Sequence, residues 1–209
     1  MADISIIEKY FPNLSDVQKS QFAALDALYQ DWNSKINVIS RKDMDNFYEH
    51  HVLHSLGIAK FTDFADGTEI LDLGTGGGFP AIPLAIIFPN VSFHAIDGVG
   101  KKIKVLNAVA ESIGLTNIKG DHLRAEDVKA KYDYVVSRAV MQMPDLMKLA
   151  RPLLKPVASS ALPVGVIALK GGDLTEELKP LGRNAMSESL TNYFEEEFFS
   201  TKSVVYVMK

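Results

Sequence analysis

The chain has 209 residues, with 26 acidic against 22 basic side chains, a formal net charge of −4, 47% hydrophobic residues and no cysteine. That length supports one full core, and the missing cysteines exclude disulfides, thiolate metal sites and cysteine nucleophiles. No apolar run reaches membrane-span length and Met1-Ala2-Asp3 opens no secretory signal, so a soluble, cytoplasmic protein with no membrane partner is expected.

Up to about Phe64 the pattern is helical. Ser15-Asp16-Val17-Gln18 can cap a helix whose apolar residues Phe22, Leu25, Leu28, Tyr29 and Trp32 recur at three- and four-residue steps. Asn33 to Arg41 reads as a connector, and a second helix is expected from near Asp43 through Phe47, His51, His54 and Leu56. From Glu69 short apolar runs alternate with helical ones. Strands are expected at Glu69–Leu73, Val91–Ile96, Asn117–Asp121, Tyr132–Ser137 and Val164–Leu169, with helices at Pro80–Phe88, Lys101–Ile113 and Asp145–Leu154. Leu190–Phe199 and Ser203–Met208 read as two closing strands. The alternation predicts an α/β fold with a mostly parallel sheet covered on both faces.

The informative loop is Gly74-Thr75-Gly76-Gly77-Gly78, between the first strand and the helix that Pro80 and Pro83 help to start. Helix-end N–H groups face ligands in such a setting. A nucleoside triphosphate fits worst, because Phe79-Pro80 stand where a phosphate loop needs Lys-Ser/Thr. A dinucleotide fits better, since Asp97 ends the second strand at the right distance for ribose hydroxyls, but the third glycine of G-x-G-x-x-G would fall on Phe79. S-adenosylmethionine fits best by spacing: Asp72 places negative charge where an ammonium is helped and a pyrophosphate repelled. A bare turn with no ligand is the plain alternative, disfavoured by the cost of four glycines.

Further signals stand in order around that loop: Asp97 with Gly100-Lys101-Lys102, Arg124-Ala125-Glu126, Ser137-Arg138-Ala139 and Ala168-Leu169-Lys170-Gly171. Upstream are Trp32-Asn33, Ile36-Asn37-Val38-Ile39-Ser40 and His50-His51-Val52-Leu53-His54-Ser55-Leu56. Together these resemble the bacterial 16S ribosomal RNA guanine-N7 methyltransferase family, also called glucose-inhibited division protein B, over most of the chain. The glycine loop alone marks only class I methyltransferases; the Ser-Arg-Ala and Leu-Lys-Gly pair with the N-terminal block is more specific. Gly77 stands where the family often has Pro, Gly98 where it often has Ser, and the stretch 157–163 departs from the pattern.

The resemblance implies a class I S-adenosylmethionine-dependent methyltransferase fold, a Rossmann-like, mostly parallel sheet with a closing antiparallel strand. A helical N-terminal region would span 1–65 and the methyltransferase domain 66–209. It implies cofactor contacts from Gly74, Gly76 and Phe79 around the methionine end, Asp97 at the ribose, Ala125 and Glu126 at the adenine, and Arg138 at the end of the fourth strand. The implied substrate is 16S ribosomal RNA within the small ribosomal subunit or its precursor, with the chain acting as a monomer.

The missing residues narrow the chemistry. No cysteine closes the covalent route to C5-methylpyrimidines, and the Asn/Asp-Pro-Pro-aromatic stretch used on exocyclic amines is missing. Guanine N7 is an acceptor with no proton to remove, so no catalytic acid or base is assigned. The charge is divided: residues 98–170 carry 12 bases against 6 acids, while 1–97 carry 6 against 13 and 171–209 carry 4 against 7. If the bases share a face, that segment can hold a polyanion; otherwise they are a solvated surface. Lys101, Arg124 and Lys170 are the candidate phosphate contacts. His50 and His54, one helical turn apart, lack a third ligand, so no metal is expected. A small-molecule methyltransferase and an RNA-binding module with a vestigial cofactor fold are the rival readings.

Overall fold

The computed structural model describes residues 4–138, 141–157 and 162–209. Two helices open the chain, α1 (Ser5–Tyr10) and α2 (Asp16–Lys35). The cap expected at Ser15 is present: its Oγ accepts from the Gln18 N–H (3.2 Å), and Gln18 Oε1 accepts from the Ser15 N–H (2.9 Å). Such a box is worth roughly 1 kcal/mol. Gln18 then donates its side-chain amide to Ile86 O at 2.8 Å, fastening α2 to the helix after the glycine loop. Phe22, Leu25 and Tyr29 are fully buried beneath α2.

The single helix expected from Asp43 arrives in three pieces. A 3₁₀ segment (Arg41–Asn46) leads into a π-helical turn (Tyr48–Leu53), and only α3 (His54–Phe61) is α-helical. The buried pairs Phe47/Val52 and Tyr48/Leu53 are five residues apart. That step suits i→i+5 winding and is poorly served by 3.6 residues per turn.

The sheet follows: β1 (Glu69–Leu73), α4 (Ala81–Ile87), β2 (Ser92–Asp97), α5 (Gly100–Ser112), β3 (Ile118–His122), β4 (Tyr134–Arg138), α6 (Met143–Ala150), β5 (Gly165–Gly171), α7 (Thr175–Leu178), β6 (Ala185–Ser189) and β7 (Lys202–Met208). Strand order is β3-β2-β1-β4-β5-β7-β6. The first five run parallel, and β7 lies antiparallel between β5 and β6. The order reverses between β1 and β4, the switch point beside which ligands of open α/β sheets bind.

The tail corrects one expectation. Leu190–Phe199 is not a strand but a loop with 3₁₀ turns at Leu190–Asn192 and Glu197–Thr201, and the partner of β7 is β6. The buried anchors Leu190, Phe194 and Phe199 are four and five residues apart, and the odd step would put Phe199 on the opposite face of any strand that buries the other two. Of the unfamiliar stretch 157–163, residues 158–161 lie outside the described residues.

Alternate strand residues feed two cores. Ile70, Phe93, Ala95, Val136 and Ile167 pack with α1 to α5 on one face, sharing a continuous core with the N-terminal helices. Leu71, Ile96, Val135, Val166 and Val205 pack with α6 on the other. Among the described residues no helix is long and apolar enough to cross a membrane.

Candidate functional site

The glycine loop leaves β1 at the switch point. The N–H groups of Gly74 and Thr75 both donate to Ile96 O at 3.0 Å, fastening the loop to β2. Asp97, at the end of β2, closes it: Oδ2 accepts from the Gly76 N–H (2.9 Å) and Oδ1 from the Val99 N–H (2.8 Å). The glycines divide into two groups. At Gly76, where φ is +61°, a Cβ would meet nothing within 4 Å, and the same open space lies over Gly98. Gly77 and Gly78 instead face the protein. A Cβ on Gly77 would lie 3.0 Å from Val38 Cβ, and one on Gly78 2.7 Å from Ile82 Cδ1 and 3.0 Å from Tyr29 Oη.

Behind the loop, Asp72 is fully buried on β1. Its Oδ2 accepts from the Ala81 N–H at 3.1 Å, at the start of α4. Its Oδ1 and the Thr75 Oγ1 are buried without a well-formed hydrogen bond, and the two side chains are near enough for Thr75 to favour the ionised carboxyl. Burial raises the Asp72 carboxyl to about 7, opposed by hydrogen bonds and by the charge of Arg138. A buried acid with an open acceptor site is suited to a cation brought by a ligand.

Arg138, at the end of β4, has its guanidinium carbon 5.0 Å from the centroid of the Phe79 ring. Nη1 lies 3.5 Å from the carbonyls of His50 and His51, and Nη2 donates to His51 Nδ1 at 3.3 Å. Burial lowers its pKa to about 10, which leaves it charged at neutral pH. Phe79 itself is 3% exposed, packed against Tyr29, Phe47 and His51. Burial, with Arg138 beside it, lowers His51 to about 3, and burial likewise holds His54 well below the ordinary histidine value. Both are neutral imidazoles at physiological pH. His50 is spent on Asp43 (3.2 Å) and on a stack with Phe198 at 4.0 Å. Among the described residues no group of three or more His, Asp or Glu could hold a metal ion.

The other expected residues scatter more. Ala125 and Glu126 form a 3₁₀ turn after β3, where they line a cavity of about 410 Å³ with Val128, Leu149 and Leu153. Lys101, in the first turn of α5, and Arg124, before the 3₁₀ turn, are exposed. Lys170, expected to contact phosphate, is held inside the protein: it is 9% exposed, its ammonium is 2.6 Å from Glu177 Oε1, and it donates to Met141 O at 2.7 Å. What the sequence reading missed is the hold of the N-terminal region on the loop. Tyr29 Oη donates to Gly77 O at 2.7 Å in a buried contact, and Val38 packs on Gly77. Tyr29 read as one more apolar helix position; only its hydroxyl, which a buried site must satisfy, hinted at more.

Known proteins resemble the chain in sequence and in fold. The family model described as rRNA small subunit methyltransferase G (GidB) matches residues 18–204. The chain is 59% identical to "Ribosomal RNA small subunit methyltransferase G" of Phocaeicola vulgatus over 204 residues, 98% of each chain. Its identity to the protein of the same name from Bacteroides thetaiotaomicron is 56%, over 97% of this chain and 98% of that one. Solved structures share the fold. A SAM-dependent methyltransferase from Aquifex aeolicus has a TM-score of 0.56 at 14% identity, covering 81% of this chain and 98% of that one. A precorrin-6y C5,15-methyltransferase from Geobacter metallireducens has a TM-score of 0.55 at 12% identity, with 83% and 92% covered.

Proposed function

The chain belongs to the rRNA small subunit methyltransferase G family, and on that premise we propose that it transfers a methyl group from S-adenosyl-L-methionine to N7 of a guanine in 16S ribosomal RNA. The observation that carries the cofactor assignment is the buried Asp72 carboxyl beside the Thr75 hydroxyl, whose Oδ1 and Oγ1 lack a well-formed hydrogen bond, behind a loop that stays open above Gly76. An acid there suits an ammonium and repels a pyrophosphate, so the residues present fit the methionine end of this cofactor.

When bound, S-adenosylmethionine supplies an electrophilic methyl group on a sulfonium. Asp72 and Thr75 would take the ammonium, Gly74 and Gly76 would let the backbone come close, and Asp97 would take the ribose hydroxyls with the oxygen lone pairs its two backbone contacts leave free. Ala125 and Glu126 would border the adenine, and Phe79 with Arg138 the reacting end. Guanine N7 carries a lone pair and no proton, so no side chain has to remove one. The protein contributes alignment, worth on the order of 7–11 kcal/mol in well-oriented reactions. Lys101 and Arg124 are the phosphate contacts of this reading, and Lys170 is withdrawn from that set. The reading further holds that the protein works in the cytoplasm as a monomer without a metal. It also divides the chain at 65/66 into a helical region and a methyltransferase domain.

The test is label mapping. Small subunits from a strain lacking this activity, incubated with the protein and tritiated S-adenosylmethionine, should carry label on one guanine, and chain cleavage specific for N7-methylguanosine should fall there. Label on another base, or on an exocyclic amine, would overturn the reading.

A further inference from the structure

Lys170 and Glu177 touch neither the glycine loop nor Asp97, yet they form a buried ion pair, with side chains 10% and 9% exposed and 2.6 Å between Nζ and Oε1. We propose that this pair is a positioning device for methyl transfer, holding Met141 to Met143, at the start of α6, in the conformation that presents the acceptor side of the site. The proposal rests on the methyltransferase reading above and deepens it.

Three contacts carry it. Lys170 Nζ donates to Met141 O at 2.7 Å. Glu177 Oε1, already bound to Lys170, also accepts from the Met143 N–H at 2.7 Å, at the first residue of α6. In the sheet, Leu169 is the register partner of Arg138, so Lys170 sits one residue beyond it on the neighbouring strand. The pair therefore grips Met141 and Met143, three and five residues past Arg138, at the C-terminal edge of the sheet where ligands bind.

Stability alone does not account for such a pair. Two charges taken out of water gain little over well-packed apolar side chains of the same volume. Apolar side chains, however, cannot hold a carbonyl and an N–H at once. The ammonium and carboxylate do this on two sides, with Lys170 tied to β5 and Glu177 to α7. Ser137-Arg138 and Leu169-Lys170, 32 residues apart in sequence, thus lie side by side on β4 and β5. A phosphate-binding lysine would instead be solvated and would contribute to the salt dependence of RNA binding.

The decisive variant is the double substitution Lys170→Met/Glu177→Leu, which removes both charges and leaves none buried alone. Expected are a cooperative melting transition, lowered because Met141 O and the Met143 N–H lose their partners, and S-adenosylmethionine affinity within twofold. At saturating RNA and cofactor, kcat should be at least tenfold lower, and the salt slope of RNA binding unchanged. Amide hydrogen exchange across residues 141–146 should accelerate, a readout that stands whichever base is the acceptor. Wild-type kcat, or unchanged exchange over that segment, would overturn the proposal. A salt slope flattened by about one contact with kcat intact would also overturn it and return Lys170 to the phosphate face. If the double variant does not fold, Glu177→Gln decides. It keeps an oxygen for the Met143 N–H but loosens the hold on Lys170, so lower kcat with normal melting supports the proposal and wild-type kcat overturns it.

Discussion

At Asp72, burial keeps a carboxyl half-protonated near neutral pH, with a pKa raised to about 7. A ligand ammonium favours the ionised form, so binding must expel the proton from whatever fraction carries it. The sign follows: S-adenosylmethionine affinity should rise as pH increases from 6 towards neutral, where Asp72 ionises, and fall again above about 8, where the ligand's own α-ammonium loses its proton. Calorimetry in buffers of different ionisation enthalpy should detect net proton release near pH 6.5. A flat profile would mean that Asp72 does not meet the ammonium. At Gly76, the loop needs φ = +61° but leaves the Cβ direction empty. Gly76→Ala should cost roughly 1–2 kcal/mol of stability through backbone strain, seen as a modest drop in melting temperature. Its loss of cofactor affinity should exceed tenfold, because the new methyl group occupies the space assigned to the ligand. Equal losses in both measurements would mark that glycine as a turn residue only.

At the scale of elements, α2 reaches across the molecule to hold the loop through Tyr29. Tyr29→Phe keeps the ring among Phe47 and Phe79 but leaves Gly77 O without its donor. An orphaned buried carbonyl costs about 1–3 kcal/mol, and because this one belongs to the cofactor loop, S-adenosylmethionine affinity should fall three- to tenfold as well. Melting and binding measured on the same preparation separate the two; lower stability with unchanged affinity would reduce Tyr29 to packing. Elements also differ in how far the sequence betrays them. Strands β1, β2, β4 and β5 were legible because each is a short, mostly apolar run bounded by turn residues, whereas β3, Ile-Lys-Gly-Asp-His at the sheet edge with only Gly120 buried, was weakly marked. The π-helical turn at Tyr48–Leu53 was not legible, since an α-helical reading of Phe47, His51 and His54 competes with the five-residue steps that the core selects. Nor was β6: Ala-Met-Ser-Glu-Ser is polar and partly exposed at the sheet edge, whereas the apolar Leu190–Phe199 looked like the strand and is the anchored loop beside it.

For the whole molecule, the question is whether the basic middle of the chain forms a face for RNA. Lys101 and Arg124 remain exposed on the β2 and β3 side of the sheet. Changing both to alanine should weaken small-subunit RNA binding and flatten its salt slope by about two contacts, with cofactor affinity nearly unchanged for Lys101. RNA affinity across a salt series checks this; an unchanged slope would leave the charge division as surface solvation. By itself the sequence determined the fold class, the glycine-rich strand-loop-helix proposed to take the cofactor, the acids at 72 and 97, and the family. These rest on local spacing and on residue types that the chemistry cannot exchange. Only the tertiary structure decided where charges and glycines point. Lys170 became an internal tie because Glu177 arrives beside it from a later helix. Two of the four glycines serve Val38 and Tyr29 rather than a ligand. A lysine in sequence is a charge without a partner. Its partner comes from chain tens of residues away, and burial decides whether that charge faces water, phosphate or the protein itself.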